Sequence, residues 1–504
     1  MNRTVSIRRA LALVVLTCLA PSALAQVHYH PNGQPWKQRA RSGPDAAVGG
    51  WYYNLGLTGL RVELTEDAPT ELLVRHVLEG TPGDGRVEPG DRIVGVHGRK
   101  LETPHRNGYG MDVFGPEGPL LDFARALEAS QTKSRRGRLK LTLIRDGKRR
   151  TVELNIGFEY GAFGKEFPSA SKKTKLVLDE LHEYIEGHQR DDGSWGNPVH
   201  NTFAPLALLA SGEAKYHKAV KKSVKWHART TSAEDEGSLI NWRYMSAAIV
   251  MSEYYLATKE RWVLEELEEV RDFLMSTQYV SLAQLSPNVI NSHPHAMPKT
   301  DEDAHGGWGH NPGFEGYGPI CMLTGQGALA LAMMEHCGLE IDRERHQAAY
   351  DFLERGSGQE GYVWYADESA NARDWADMGR TGATAVANRL SPYRGGEFQA
   401  NAKRHAKVIG LHPESFPDTH GSPLMGMAYT ALGAAGIDGS YRNLMQANRW
   451  WFTLAQCNDG SYYYQPNRDN AGYGADSRLA ASAVTAFILS IPAKSLLLTG
   501  KKSK

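Results

Sequence analysis

Two heptads of nearly the same sequence, 267 residues apart, constrain the fold of this 504-residue chain more than any other feature. They are Gln189-Arg-Asp-Asp-Gly-Ser-Trp195 and Gln456-Cys-Asn-Asp-Gly-Ser-Tyr462. Each follows a stretch with helical spacing of apolar residues and precedes a run of small apolar ones. Five units of about 53 residues fill the offset, and repetition at such a period marks stacked supersecondary units. The expectation is an array of helical hairpins in which Gln189, Trp195, Gln456 and Tyr462 staple one hairpin to the next.

Residues 168–495 carry the array. Amphipathic segments cover 171–189, 213–229, 260–278, 342–356, 398–409 and 440–457. Each is followed by a segment rich in Ala, Gly, Ser and Leu, at 200–211, 239–257, 318–337, 380–390, 422–435 and 477–490. Small residues allow close approach in an inner ring, and amphipathic helices suit an outer ring with one wet face. Six such pairs close into an all-α (α/α)6 toroid. The heptads resemble the "QW" repeat of terpenoid cyclases and related toroids, with Gln359-Glu-Gly-Tyr362 as a degenerate third.

Residues 51–157 read as β with one helix over 119–131. Apolar alternation marks strands at Leu72–Val77, Arg92–His97, Leu139–Ile144 and Thr151–Ile156, and Asp146-Gly147 is a hairpin turn. Asn54-Leu-Gly-Leu-Thr-Gly-Leu60, Gly80-Thr-Pro82 and Val87-Glu-Pro-Gly-Asp-Arg-Ile-Val-Gly-Val-His-Gly98 resemble a bacterial PDZ domain. That resemblance implies a peptide site at Leu55, Gly56, Leu57, Thr58 and Leu60. Backbone N–H groups there would take a terminal carboxylate, and the ligand would add as a strand beside Leu60–Leu64. The alternative is that the protein's own chain fills the groove. Over 51–495 the arrangement resembles an uncharacterised bacterial family, the domain of unknown function 6288, which joins a PDZ domain to a prenyltransferase-like toroid. It carries no established activity to transfer. The fold class is thus multidomain α+β, a small β-rich PDZ domain followed by the toroid.

Residues 1–25 read as a signal peptide, with Arg3, Arg8 and Arg9, an apolar run from Ala10 to Ala20, and Ala23-Leu-Ala25 as the cleavage site. A lipoprotein box at Val15–Cys18 and a twin-arginine signal at Arg8-Arg9 fit less well. Residues 26–50 form a flexible leader, 158–167 a linker and 496–504 a basic tail. Without 1–25 the chain keeps 54 basic residues against 57 acidic, a balance with no footprint for nucleic acid. No other segment is apolar enough to span a membrane. Cys321, Cys337 and Cys457 are too few for a disulfide framework. On one helix the first two would stand about 24 Å apart.

The longest irregular stretch, 279–317, is where chemistry is expected, because loops of that length are often functional. His293, His295, Asp301 and Asp303 could hold a divalent metal, although no HExxH or i,i+4 pair fixes a geometry. His305, His310, Glu315 and Tyr317, with Arg380 and His420 at the starts of inner helices, are the candidate catalytic groups. Asn201, Asn241 and Arg478 also mark such starts, where unpaired N–H groups attract anions. The aromatic clusters Tyr362, Trp364, Tyr365 and Tyr462–Tyr464 could stack on sugars. Terpenoid cyclases need a tight aspartate motif, and Asp301-Glu-Asp-Ala304 supplies only part of one. Two functions stand. One is an exported protein whose PDZ groove takes a peptide or protein C-terminus while its toroid binds or processes an extracellular ligand. The other is a polysaccharide lyase or hydrolase acting on acidic glycans. A lyase brings a base and an arginine together in the cavity; a scaffold plugs the cavity with apolar side chains.

Overall fold

A computed structural model describes residues 29, 31–33, 40, 43–108, 115–169, 171–231, 239–295, 297–312, 314, 318–367, 378–393, 395–417, 419, 423–466 and 478–502. The N-terminal unit contains β1 (Tyr53–Asn54), β2 (Leu60–Glu63), β3 (Leu72–Val77), β4 (Arg92–Val96), β5 (Arg99–Lys100), β6 (Arg106–Gly108), β7 (Gly115–Glu117), helix α1 (Pro119–Ser130), β8 (Arg138–Arg145) and β9 (Lys148–Asn155). Its antiparallel sheet runs β1-β2-β3-β4-β8-β9, with β5 hung on β4, while β6 and β7 pair separately. Strand alternation sends Leu139, Leu141 and Leu143 into the same core as Leu120, Phe123 and Leu127 of α1. At the β8–β9 turn Asp146 and Gly147 both have positive φ, the geometry that Asp-Gly tolerates best.

The remainder is helical: α2 (Lys172–Gly187), α3 (Pro198–Ala210), α4 (His217–Arg229), α5 (Ile240–Thr258), α6 (Trp262–Thr277), the short α7 (Pro287–Ser292), α8 (Cys321–His336), α9 (Arg343–Arg355), α10 (Met378–Leu390), α11 (Gly396–Leu411), α12 (Pro423–Ala434), α13 (Asp438–Ala447), α14 (Arg449–Ala455) and α15 (Arg478–Ser490). Helices α3, α5, α8, α10, α12 and α15 pack in that order, and α15 returns onto α3. The inner ring therefore closes. The amphipathic helices lie outside it, α4 against α3 and α5, α11 against α10 and α12, and α2 across the seam between α15 and α3. Every residue of α12 is buried, as an inner helix with small side chains requires.

The ring is filled at mid-height. Phe203 of α3 meets Tyr429 of α12 edge-on at 5.9 Å and Phe487 of α15 at 5.2 Å. The Tyr429 hydroxyl donates to Gln326 Oε1 of α8 at 3.3 Å. The end formed by the C-termini of the inner helices is sealed as well. Leu496, Leu497 and Leu498 are buried there, so the expected basic tail from 496 is instead a plug. Glu253 of α5 accepts from the Leu497 and Leu498 amides at 3.1 and 2.7 Å. Arg389 donates to Leu498 O at 2.6 Å and Ser495 to Ala210 O at 2.8 Å. Burial pushes the Glu253 carboxyl up to about 7, opposed by its two amide bonds.

The expected leader and linker are also partly fixed. Asp45 is buried and pairs with Arg61 of β2 and Arg478 of α15, both at 2.5 Å. Trp51 donates to Tyr464 O at 3.0 Å, and Asn54 and Gln465 exchange two bonds of 2.9 and 3.1 Å. In the linker Phe163 and Phe167 are buried, Phe167 edge-on to Phe452 of α14.

Candidate functional site

The inner helices start where short turns return from the outer ring, and repeated hydrogen bonds fix those starts. The Trp195 amide donates to Asn201 Oδ1 at 2.8 Å. The Trp308, Val363 and Tyr462 amides donate in the same way to Thr324, Thr381 and Ser482, at 3.1, 3.2 and 2.9 Å. Each acceptor lies in the first turns of the following inner helix. Asn201 thus works as a turn staple, its Nδ2 donating back to Gly196 O.

Gln189 Nε2 donates to Gly193 O and, on the next outer helix, to Ala219 O at 2.8 Å, while Trp195 Nε1 donates to Ile185 O. Gln278 and Trp308 repeat the pattern: Gln278 Nε2 donates to Gly306 O and Arg345 O, and Trp308 Nε1 to Leu274 O. This second staple escapes the sequence because the insertion 280–305 separates its two ends, whereas the Gln456 side-chain amide and the Tyr462 hydroxyl, expected to staple likewise, are buried without a hydrogen-bond partner among the described residues. The Tyr279 amide donates to Gly307 O and the Gly306 amide to Tyr279 O, which pinches the insertion at its neck. In the segment read as Gln359–Tyr362, the bridge instead joins Ser357 to Val363, as Gln456 is joined to Tyr462.

At the end of the ring where the inner helices start, two aromatic pairs lie beside the start of α8. Trp242, on the first turn of α5, donates from Nε1 to His310 Nδ1 at 2.8 Å, with the rings stacked at 5.9 Å. The His310 carbonyl accepts from Asn241, and Asn241 Nδ2 donates to Gly309 O. An accepting Nδ1 leaves the proton of the neutral ring on Nε2. On the other side Tyr365 O accepts from the Cys321 amide, and the buried Arg380 guanidinium lies 5.3 Å from the Tyr365 ring. Trp242, His310 and Tyr365 are half-buried. The sequence reading missed Trp242; its signal is its place between Asn241 and Arg243 at a helix start.

The other candidates are scattered. His305 faces the outer ring, where its carbonyl accepts from Arg355 at 2.7 Å; burial, then Arg355 and Arg345, push its ring pKa down. Asp301 accepts from the Leu282 amide, and Asp303 from the Lys299 and Thr300 amides. His293 bonds Ser292 and is exposed, as is His295. Asp301 and Asp303 thus order a loop, and no group of three His, Cys, Asp or Glu among the described residues could hold a metal. Tyr462, Tyr463 and Tyr464 are buried, with Arg61 over the Tyr463 ring, so that cluster packs the core. Glu315, Tyr317 and His420 lie outside the described residues. Cys321, Cys337 and Cys457 are buried free thiols.

Leu55, Gly56, Leu57, Thr58 and Leu60 are buried. β2 pairs with β1 through Arg61 and Val62 and with β3 along Leu60–Glu63, so both its edges are taken by the chain itself. α14 packs against α1 and the 56–58 turn, and a Cβ on Gly56 would meet Leu127 and the Thr453 carbonyl. A strand entering beside Leu60–Leu64 would have to displace β1 or β3.

A family model described as Domain of unknown function (DUF6288) matches residues 174–500. No curated protein matches the chain significantly. Solved structures similar to it include an inactive variant of the GH76 alpha-1,6-mannanase of Salegentibacter sp. in complex with alpha-1,6-mannotriose, at 12% identity and TM-score 0.45, covering 62% of this chain and 98% of that one. A GH76 alpha-mannanase of Bacteroides thetaiotaomicron is similar at 12% identity and TM-score 0.43, covering 63% and 96%. A type II terpene cyclase variant from Scytonema is similar at 13% identity and TM-score 0.40, again covering 63% and 96%. No described helix is long and apolar enough to cross a membrane.

Proposed function

We propose that this chain, which belongs to the family described as Domain of unknown function (DUF6288), binds and cleaves an acidic glycan at the mouth of its helical ring, where the inner helices start. The observation that carries the reading is the pair of half-exposed aromatic platforms beside the start of α8, each joined to a polar group: Trp242 with His310, and Tyr365 with Arg380. Sugar rings stack on such faces. In this reading a uronate carboxylate takes Arg380 as its cation and His310 Nε2–H as its donor, in exchange for interactions that both residues already make. With Nδ1 accepting from Trp242, His310 is suited to stabilise developing negative charge rather than to abstract a proton. Phe203 meets Tyr429 and Phe487 across the ring, which favours a ligand held at the mouth over one threaded through it. Reading residues 1–25 as a signal peptide supports a glycan met outside the cytoplasm.

The test is a screen of the mature protein against polyuronates and alpha-1,6-mannan, following both unsaturated-uronate absorbance and new reducing ends. Cleavage of a polyuronate that falls about 100-fold in Arg380→Ala and in His310→Ala, at unchanged melting temperature, supports the reading. Cleavage that survives both substitutions, or no turnover of any acidic polymer, overturns it.

A further inference from the structure

The chain as a whole has 57 basic and 57 acidic residues, but its charge is not evenly spread. Residues 133–150 hold nine lysines and arginines and one acid, Asp146, leaving 48 bases against 56 acids elsewhere. One of the nine, Arg145, is tied to Asp91 and Glu88. The other eight are exposed. Among the described residues only Arg138 has an ion-pair partner, Glu153, at 4.0 Å.

Backbone register puts Arg138, Lys140 and Arg149 on one face of the ribbon, with Glu153 among them, and Arg150 and Lys148 on the alternate set. Arg138 stands opposite Asn155, Lys140 opposite Glu153, Thr142 opposite Thr151 and Ile144 opposite Arg149. Directly opposed residues share a face, and on β8 the alternate set, Leu139, Leu141 and Leu143, points into the core. The turn from α1 into β8 adds Lys133, Arg135 and Arg136. β8 is eight residues long, so the ribbon alone is about 25 Å at ~3.3 Å per residue. Gly137 packs on Gly157, which brings Phe158, 46% exposed, to the turn end of the ribbon.

We propose that this ribbon is a second binding surface, for a linear polyuronate, separate from the mouth. Protection of the edge strand β9 would account for a charge or two on it. It does not account for cations of one sign on β8 and on the turn. A bilayer-adsorbing face surrounds its cations with several apolar side chains, and the ribbon offers only Phe158. Single-stranded nucleic acid is held on aromatic rings interleaved with cations, and no ring interrupts these cations. Spaced cations with Thr151 between them fit a chain of carboxylates and hydroxyls, Glu153 is paired with Arg138, and Phe158 offers one face for a terminal sugar. The surface stands on these residues alone; the mouth reading adds only what becomes of the polymer.

The experiment is titration of the mature protein with polygalacturonate, with neutral alpha-1,6-mannan, phosphatidylglycerol vesicles and a DNA oligonucleotide as competitors. Polygalacturonate binding should weaken at least about tenfold between about 50 and about 200 mM salt. It should fall at least about tenfold in the combined Arg135→Glu, Arg138→Glu, Arg149→Glu variant, whose positions are exposed and outside the core. Binding that remains in the Arg380→Ala, His310→Ala variant should keep its salt dependence and should be lost when Arg135→Glu, Arg138→Glu and Arg149→Glu are added to it, which separates this surface from the mouth. Unchanged binding in the charge-reversed protein, equal binding of neutral mannan, or preference for vesicles or DNA overturns the proposal.

Discussion

Single side chains on the outer helices carry much of the ring's alignment. His227 on α4 bonds Asn201 O at 2.9 Å, His346 on α9 bonds Ala328 O at 3.0 Å, and His405 on α11 bonds Gly361 O at 2.7 Å. Carbonyl partners require N–H at those ring nitrogens, and the Tyr393 hydroxyl occupies the other nitrogen of His346 at 2.8 Å. Burial pushes all three rings down to about 4, only partly opposed by the carbonyl bonds. Unfolded rings take protons below about 6.5 and the native ones only near 4. Stability therefore falls as pH drops through that interval, by up to about 1.4 kcal/mol per pH unit for each ring. Urea unfolding should show this slope between pH 6.5 and pH 4. His405→Gln should be less stable than the parent at pH 7 yet show a shallower decline toward acid.

At the scale of elements, the insertion 280–305 interrupts one staple without breaking it, because its neck is closed by two backbone bonds at Tyr279, Gly306 and Gly307. Gly306 has φ +90° beside the Ala348 carbonyl, a place where any Cβ would collide. Replacing residues 281–304 by a short Gly-Ser link should cost about 1 kcal/mol or less, since shortening a loop changes closure entropy only slowly. Thermal melting of the excised protein checks this, and a loss of cooperative unfolding would show that the insertion holds the ring. The six inner and six outer segments were legible in sequence because small-residue and amphipathic runs differ in composition along every turn. All six inner helices begin within three residues of expectation. The Gln278–Trp308 staple was not legible, since its ends stand thirty positions apart rather than six. The contact between sheet and ring was hidden for a related reason. Trp51, Asn54 and Gln465 have no periodicity, and their partners lie about four hundred residues away in sequence. At the site, Arg380 and His310 were readable as polar residues near helix starts. Their aromatic partners were not paired by any local spacing.

At the scale of the molecule, the ring is filled from within at the end where its inner helices finish. Ending the chain after Lys494 would remove Leu496–Leu498, leave the buried Glu253 carboxyl without its two amide donors, and cost Arg389 its bond to Leu498 O while that to Leu432 O stays. Three leucines alone are worth about 5–9 kcal/mol of burial, and an unpaired buried charge adds several more. The truncated chain should therefore fail to give a cooperative melt, whereas a truncation after Lys501, which leaves the plug intact, should melt as the parent does. The same plug sets which way the protein faces when it is held. A tether joined past residue 502 leaves from the closed end, so a surface or bead carrying the protein by its C-terminus would present the mouth to the solution.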